Sequence, residues 1–244
     1  MRQLHADLWV HEDELDPMLR MTIVRRRDGD LWVHSPTPLS QKVESEVNSL
    51  GKVSEIVAPN NHHHRSLLEW ARAFPDASIF LARGLPAKLP ELSDYRLIEE
   101  AAADMWTDDL EVAVMSGVSL FDECVFFHPA SRSLIVTDLV QNYAGSSRPT
   151  GLMYHLIFKP LGYKGTILAP PLRFDWVVED RSTLERFIAT VDSWPFSRII
   201  VTHGDVIESD AKTVFSEICA QRFNEKGSRL NAFAMKQFMR VFGS

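Results

Sequence analysis

The sequence predicts an α/β chain, more narrowly α+β, in which two sheets pack face to face under outer helices as a four-layer αββα sandwich. Three observations predict it. The chain opens on a β-meander, units of strand and helix follow in both halves, and apolar strands alternate with amphipathic helical stripes to the end. At 244 residues, 45% hydrophobic and 24% charged, the chain has the composition of a folded globular protein with a sizeable core, and residues 1–244 are expected to form a single domain.

In the meander, Leu4 to Val10 and Met21 to Arg25 read as strands, and the turn at Asp28-Gly29 leads to a third, Leu31-Trp32-Val33. Ser40 can cap a helix with Val43, Val47 and Leu50 on one face and Gly51 at its end. A buried strand, Glu55 to Val57, precedes the run Asn60-Asn61-His62-His63-His64. Leu67, Leu68, Trp70, Ala71 and Phe74 then form a helical stripe that Pro75 stops. Ser78 to Ala82 is a strand, and Gly84 to Trp106 a connection with a short strand at Tyr95 to Ile98. Strands resume at Leu110 to Met115, Glu123 to Phe127 and Leu134 to Thr137, the last two joined by a hairpin turn at Pro129 to Arg132.

Tyr143 to Pro149 has loop composition, and an apolar helix is expected from Thr150 to Leu161. Asp180 or Ser182 caps the next helix, with Ser182 and Glu185 at capping-box spacing and Leu184, Phe187, Ile188 and Val191 facing inward. A strand from Arg198 to Val201 ends at His203-Gly204. Helices over Asp210 to Glu225 and Leu230 to Phe242 close the chain.

Net charge of -7 argues against nucleic acid as a partner, since phosphate binding needs concentrated Lys and Arg. No apolar stretch reaches the ~20 residues that span a bilayer, and the first residues carry early charge and no signal-peptide core. Two isolated thiols, Cys124 and Cys219, fit a reducing compartment, so a cytoplasmic protein is expected. A small-molecule substrate or ligand is the expected partner, and a homo-oligomer is left open.

Three apolar segments end in ligand-type residues: the first at the His run, Leu134-Ile135-Val136-Thr137 at Asp138, and Ile199-Ile200-Val201-Thr202 at His203. Strands that end together at one sheet edge gather such residues, and His with carboxylate suits Zn, Fe or Mn. Each has a bland alternative. The His run can be a solvated turn, Asp138 can cap the turn after it, and His203 can be a hydrogen-bonded loop residue. His128 reads as a surface or supporting residue and His155 as a core histidine, while His5, His11 and His34 carry no expected role. Phe174, Trp176 and Trp194 read as core.

In their chain order these segments resemble the metallo-β-lactamase-like superfamily. The stretch Val57 to His64 together with Ser131 to Leu139 looks like a branch of it catalogued as a domain of unknown function. The resemblance implies an αββα fold and metal-dependent hydrolysis. It also exposes departures. The superfamily loop Thr-His-any-His-any-Asp-His, laid on Ala58 to His64, puts Pro59 and Asn61 at the first two His positions and His63 at the Asp position. No His stands near Met115-Ser116-Gly117-Val118, where the first metal site's third ligand is expected, and the acidic residue after the early strand is absent at Ser35-Pro36. His64, Asp138 and His203 match the second metal site, with His63 in place of its carboxylate, and His64 ranks ahead of His63 by motif position. The implied outcome is one divalent metal or none, held by His63 or His64 with Asp138 and His203, and no separate general base stands out. The alternative is an inactive ligand-binding or scaffold module on the same fold.

Overall fold

Seven strands pair in chain order to form the first sheet: β1 Arg2–His5, β2 Leu8–Glu12, β3 Arg20–Arg25, β4 Leu31–His34, β5 Val53–Ala58, β6 Ser78–Leu81 and β7 Arg96–Leu97. The computed structural model describes residues 1–13, 19–102, 105–106, 108–145, 152, 154–224 and 234–239. Pairing is antiparallel from β1 to β4 and parallel from β4 to β7. The change falls where the helix α1, Gln41–Leu50, supplies the crossover a parallel connection needs. Ser40 caps that helix by accepting the Val43 N–H at 3.2 Å, as its sequence predicts. The opening strand expected over Leu4 to Val10 is instead two, because the chain turns at Ala6-Asp7, where Arg25 pins the Asp7 carboxylate at 3.1 Å and the Ala6 carbonyl at 3.0 Å. A second helix, α2 Leu67–Ala73, leads from β5 to β6, and a short third, α3 Ile98–Ala101, follows β7.

The second sheet runs in the order β13 Arg198–Ile200, β10 Ser133–Ile135, β9 Cys124–His128, β8 Glu111–Val114. A separate ribbon pairs β11 Val140–Tyr143 with β12 Gly165–Leu168. The long helices α4 Arg181–Ser193 and α5 Ala211–Asn224 pack on this half. Asp180 caps α4 through the Thr183 N–H, while Ser182 bonds Asp180 and Glu185 pairs with Arg181, so the capping box does not form. Of the helix expected over Thr150 to Leu161, the residues 150, 151 and 153 lie outside the described set, and Tyr154–Phe158 makes a single wide π-helical turn. The loop expected to Pro149 lies outside it from residue 146. Of the last expected helix, residues 234–239 are described and helical.

Strand alternation divides the interior. Along the second sheet Cys124, Phe126, Ile135 and Ile200 face the first sheet, while Val125, Phe127, Leu134, Ile199 and Val201 face the core under α4 and α5. Phe126 sets its ring 4.8 Å from Trp32 of β4 and 5.7 Å from Trp106, and these aromatics join the two sheets. On the far side of the first sheet Val43, Val47, Leu67 and Trp70 bury the faces of α1 and α2. The order of layers is therefore helix, sheet, sheet, helix. No helix among the described residues is long and apolar enough to cross a membrane.

Candidate metal centre

Strands β10 and β13 pair in parallel with Ile135 opposite Ile200. Three residues beyond each, the chain reaches Asp138 and His203, so the equal overhang sets the two side by side. The His203 Nε2 lies 3.2 Å from Asp138 Oδ1. From the other sheet, the loop after β5 brings His63, whose Nε2 lies 3.4 Å from Asp138 Oδ2 and 3.2 Å from His203 Nε2. Their ligand atoms all fall within 4.8 Å of one another.

With one ligand atom taken from each residue, separations up to 4.8 Å leave room for a single ion that both imidazoles and one carboxylate could reach. Two imidazole nitrogens at 3.2 Å also require something positive between them, a proton or a metal, because two bare lone pairs repel. Burial pushes the Asp138 carboxyl up, but the charge and hydrogen bonds of His63 and His203 outweigh it and hold the group well below the usual carboxylate range. The donor set of two imidazoles and a carboxylate fits a divalent Zn, Fe or Mn ion. His203 is the most open of the three, with 19% of its side chain exposed.

The supporting bonds fix each member. Ser35 follows β4 with φ of +53°, an uncommon value for a residue with a side chain, and its Oγ lies 3.1 Å from His63 Nδ1. That contact holds the ring with Nε2 turned toward Asp138. Asn60, wholly buried, donates to Thr137 Oγ1 at 2.8 Å and to Asp138 Oδ2 at 2.7 Å, and its Oδ1 accepts the N–H groups of His62 and His63 at 2.9 and 2.8 Å. Glu123, also wholly buried, accepts three successive backbone N–H groups, Thr137, Asp138 and Leu139, at 2.7 to 3.0 Å. Burial, then the Asp138 charge, pushes its carboxyl up to about 7 against those bonds. Gly204 turns with φ of +95°, and a Cβ there would sit 1.8 Å from the Asn142 carbonyl oxygen.

The structure brings together His63, Asp138 and His203, and not His64. The expectation that His64 leads the cluster is corrected by the backbone: successive residues diverge, and the turn anchored on Asn60 directs His63 inward. His62 points to the Leu120 carbonyl at 3.1 Å. His64 is half-buried with Nδ1 unpartnered, and burial followed by Lys88 lowers its pKa to about 4. Where the superfamily's first metal site is expected, Asn61 instead ties the loop to Ser119 O at 2.8 Å and Asp122 Oδ2 at 3.1 Å. Elsewhere, His128 is buried and bonds Ser131 Oγ at 2.7 Å. His155 is exposed and not a core residue, and Trp176 is 37% exposed while Phe174 and Trp194 are buried. Ser35, Asn60 and Glu123 had no assigned role in the sequence reading. For Asn60 the available signal was an Asx-type turn residue directly before the His run.

The profile of a family described as Domain of unknown function (DUF4336) matches residues 14–149, more than half of the chain. The chain belongs to DUF4336. Among solved structures, this DUF4336 protein is similar to the DIM-1 metallo-beta-lactamase, with TM-score 0.56 and 13% identity over 90% of this chain and 96% of that one. It is also similar to a metallo-beta-lactamase from Pontibacter korlensis, with TM-score 0.55 and 12% identity over 91% and 98%. At such identities the likeness is one of fold, and the αββα sandwich of the DUF4336 chain is of metallo-β-lactamase type. No curated protein matches it in sequence.

Proposed function

We propose that this DUF4336 protein is a metal-dependent hydrolase with a mononuclear centre, acting in the cytoplasm on a small-molecule ester, amide or phosphoester. The observation that carries the reading is the convergence of His63, Asp138 and His203 from two sheets, with one ligand-type atom of each within 4.8 Å of the others. A divalent ion held there supplies Lewis acidity, polarising a substrate oxygen and making water a stronger acid. His63 and His203 would offer imidazole nitrogens to it, and the Ser35 hydroxyl beside His63 Nδ1 orients that ring with Nε2 toward Asp138. Asp138, held ionised, supplies the negative charge that such an ion needs. The greater exposure of His203 supports an approach of substrate and water from its side.

A second reading is a ligand-binding module on the same fold. The hydrogen-bonded latch of Asn61 onto Ser119 and Asp122 favours it, because that latch fills the place of a first metal site. Elemental analysis of tag-free protein, followed by turnover of lactone, thioester and phosphodiester substrates, separates the two. The hydrolase reading expects up to one metal per chain and turnover of one class. Metal-loaded protein that hydrolyses none of them, while still binding a small molecule, belongs to the second reading.

A further inference from the structure

We propose that Asn60 is the positioning residue of this centre: it selects His63 from the three consecutive histidines and holds the Asp138 carboxylate in place before any ion binds. The proposal rests on the metal reading above and concerns how the site is assembled. The Asn60 side chain is wholly buried and makes four hydrogen bonds, two as donor and two as acceptor.

Those four bonds join the two sheets at the centre. On the side of the first sheet, Oδ1 gathers the N–H groups of His62 and His63 and bends the loop so that neighbouring rings part company. His62 goes to Leu120 O, and His63 goes over Asp138. On the side of the second sheet, the amide Nδ2 grips Asp138 Oδ2 at 2.7 Å, a charge-assisted bond, and Thr137 Oγ1 at 2.8 Å. Glu123 fixes the backbone of the same turn from below, through the N–H groups of Thr137, Asp138 and Leu139. Asn60 alone among these contacts ties one ligand's side chain to another ligand's backbone. The residue type is therefore specific. An aspartate here keeps the acceptor half but faces Asp138 with a second carboxylate in place of a donor.

Asn60→Asp and Asn60→Ser test this, the second keeping a local serine acceptor for the loop N–H groups and losing the amide's reach to Asp138 and Thr137. Cobalt(II) titration should give wild-type protein a visible absorption spectrum of a site with two nitrogens and one carboxylate oxygen. Both variants should bind Co2+ roughly 10- to 100-fold more weakly, with altered bands and an unchanged far-ultraviolet circular dichroism spectrum. Should Asn60→Asp fail to fold, Asn60→Ser carries the test. Crystal structures of the metal-free proteins give an independent arm: His63 Nε2 and His203 Nε2 should stay near 3.2 Å in wild type and separate in the variants. Unchanged affinity, spectrum and metal-free geometry in Asn60→Ser would overturn the proposal. Wild-type protein that takes up no metal, with the rings still separating in the variants, would overturn the metal reading and leave the positioning role standing.

Discussion

Gly204 and His203 show how closely the centre depends on single residues. Adding one methyl group at position 204 meets both a left-handed backbone and the Asn142 carbonyl oxygen, so the Gly204→Ala chain has to shift the segment that carries His203. We expect Gly204→Ala to lose at least about 2 kcal/mol of stability, measured by urea unfolding. It should lose metal with it. His203→Ala is expected to behave differently, because a strand-end side chain that is partly exposed adds little to the core. Metal content and hydrolysis should fall together while the circular dichroism spectrum and metal-free Tm hold. Retained metal in that variant would remove His203 from the ligand set. At this scale Asp138 and His203 were legible as ligand candidates, since each ends an apolar strand. Ser35, Asn60 and Glu123 were not. The bonds of Ser35 and Glu123, and those that tie Asn60 to Thr137 and Asp138, reach 14 to 78 residues along the chain, and local patterning carries no record of such pairs.

Among the elements, β9 contributes to both cores, as β10 and β13 beside it do. Phe126 packs its ring against Trp32, His34 and Trp106 of the facing layer, while its neighbours Val125 and Phe127 face the other way. Phe126→Ala should cost about 3–5 kcal/mol by opening a cavity between sheets that share no strand, as read from the midpoint of chemical unfolding. Strand periodicity and capping residues made this layer legible: Ser40 before α1 and the alternation of β9 and β10 are local facts. The ribbon of β11 and β12 was not legible. Val140-Gln141-Asn142-Tyr143 mixes polar with apolar residues that are all buried, because Gln141 and Asn142 find hydrogen-bond partners inside, Asp138 at 3.4 Å and the Asp205 carbonyl at 2.9 Å. A single strand at Leu4 to Val10 looked continuous for a related reason, since what divides it is Arg25 on another strand.

Across the whole molecule, acid should unfold this protein earlier than its carboxylates alone require. His34 is wholly buried, stacked on Trp32 at 5.3 Å, with neither ring nitrogen partnered; burial, then the charge of His63, lowers its pKa from 6.5 to about 3. Folded protein thus keeps this imidazole neutral while the unfolded chain takes up a proton below pH 6.5. In that window the unfolded state binds more protons, so stability falls as pH falls from 6.5 toward 3, by up to about 1.4 kcal/mol per pH unit from this residue. His34→Gln should flatten the slope of unfolding free energy between pH 6 and 4 by about one proton's worth. An unchanged slope would place the acid sensitivity elsewhere.

The three ligand candidates also divide the chain into long arcs. His63 and Asp138 are 75 residues apart, and Asp138 and His203 are 65 apart. One ion bound to all three closes two loops of those lengths at a single knot, and in the chain-entropy account each such closure is worth about 4 kcal/mol against the unfolded coil. The ion then acts as a clasp on the path of unfolding as well as a centre for chemistry. A chelator should raise the unfolding rate of holoprotein at fixed denaturant, and a protease should reach the clasped chain more slowly than the unclasped one.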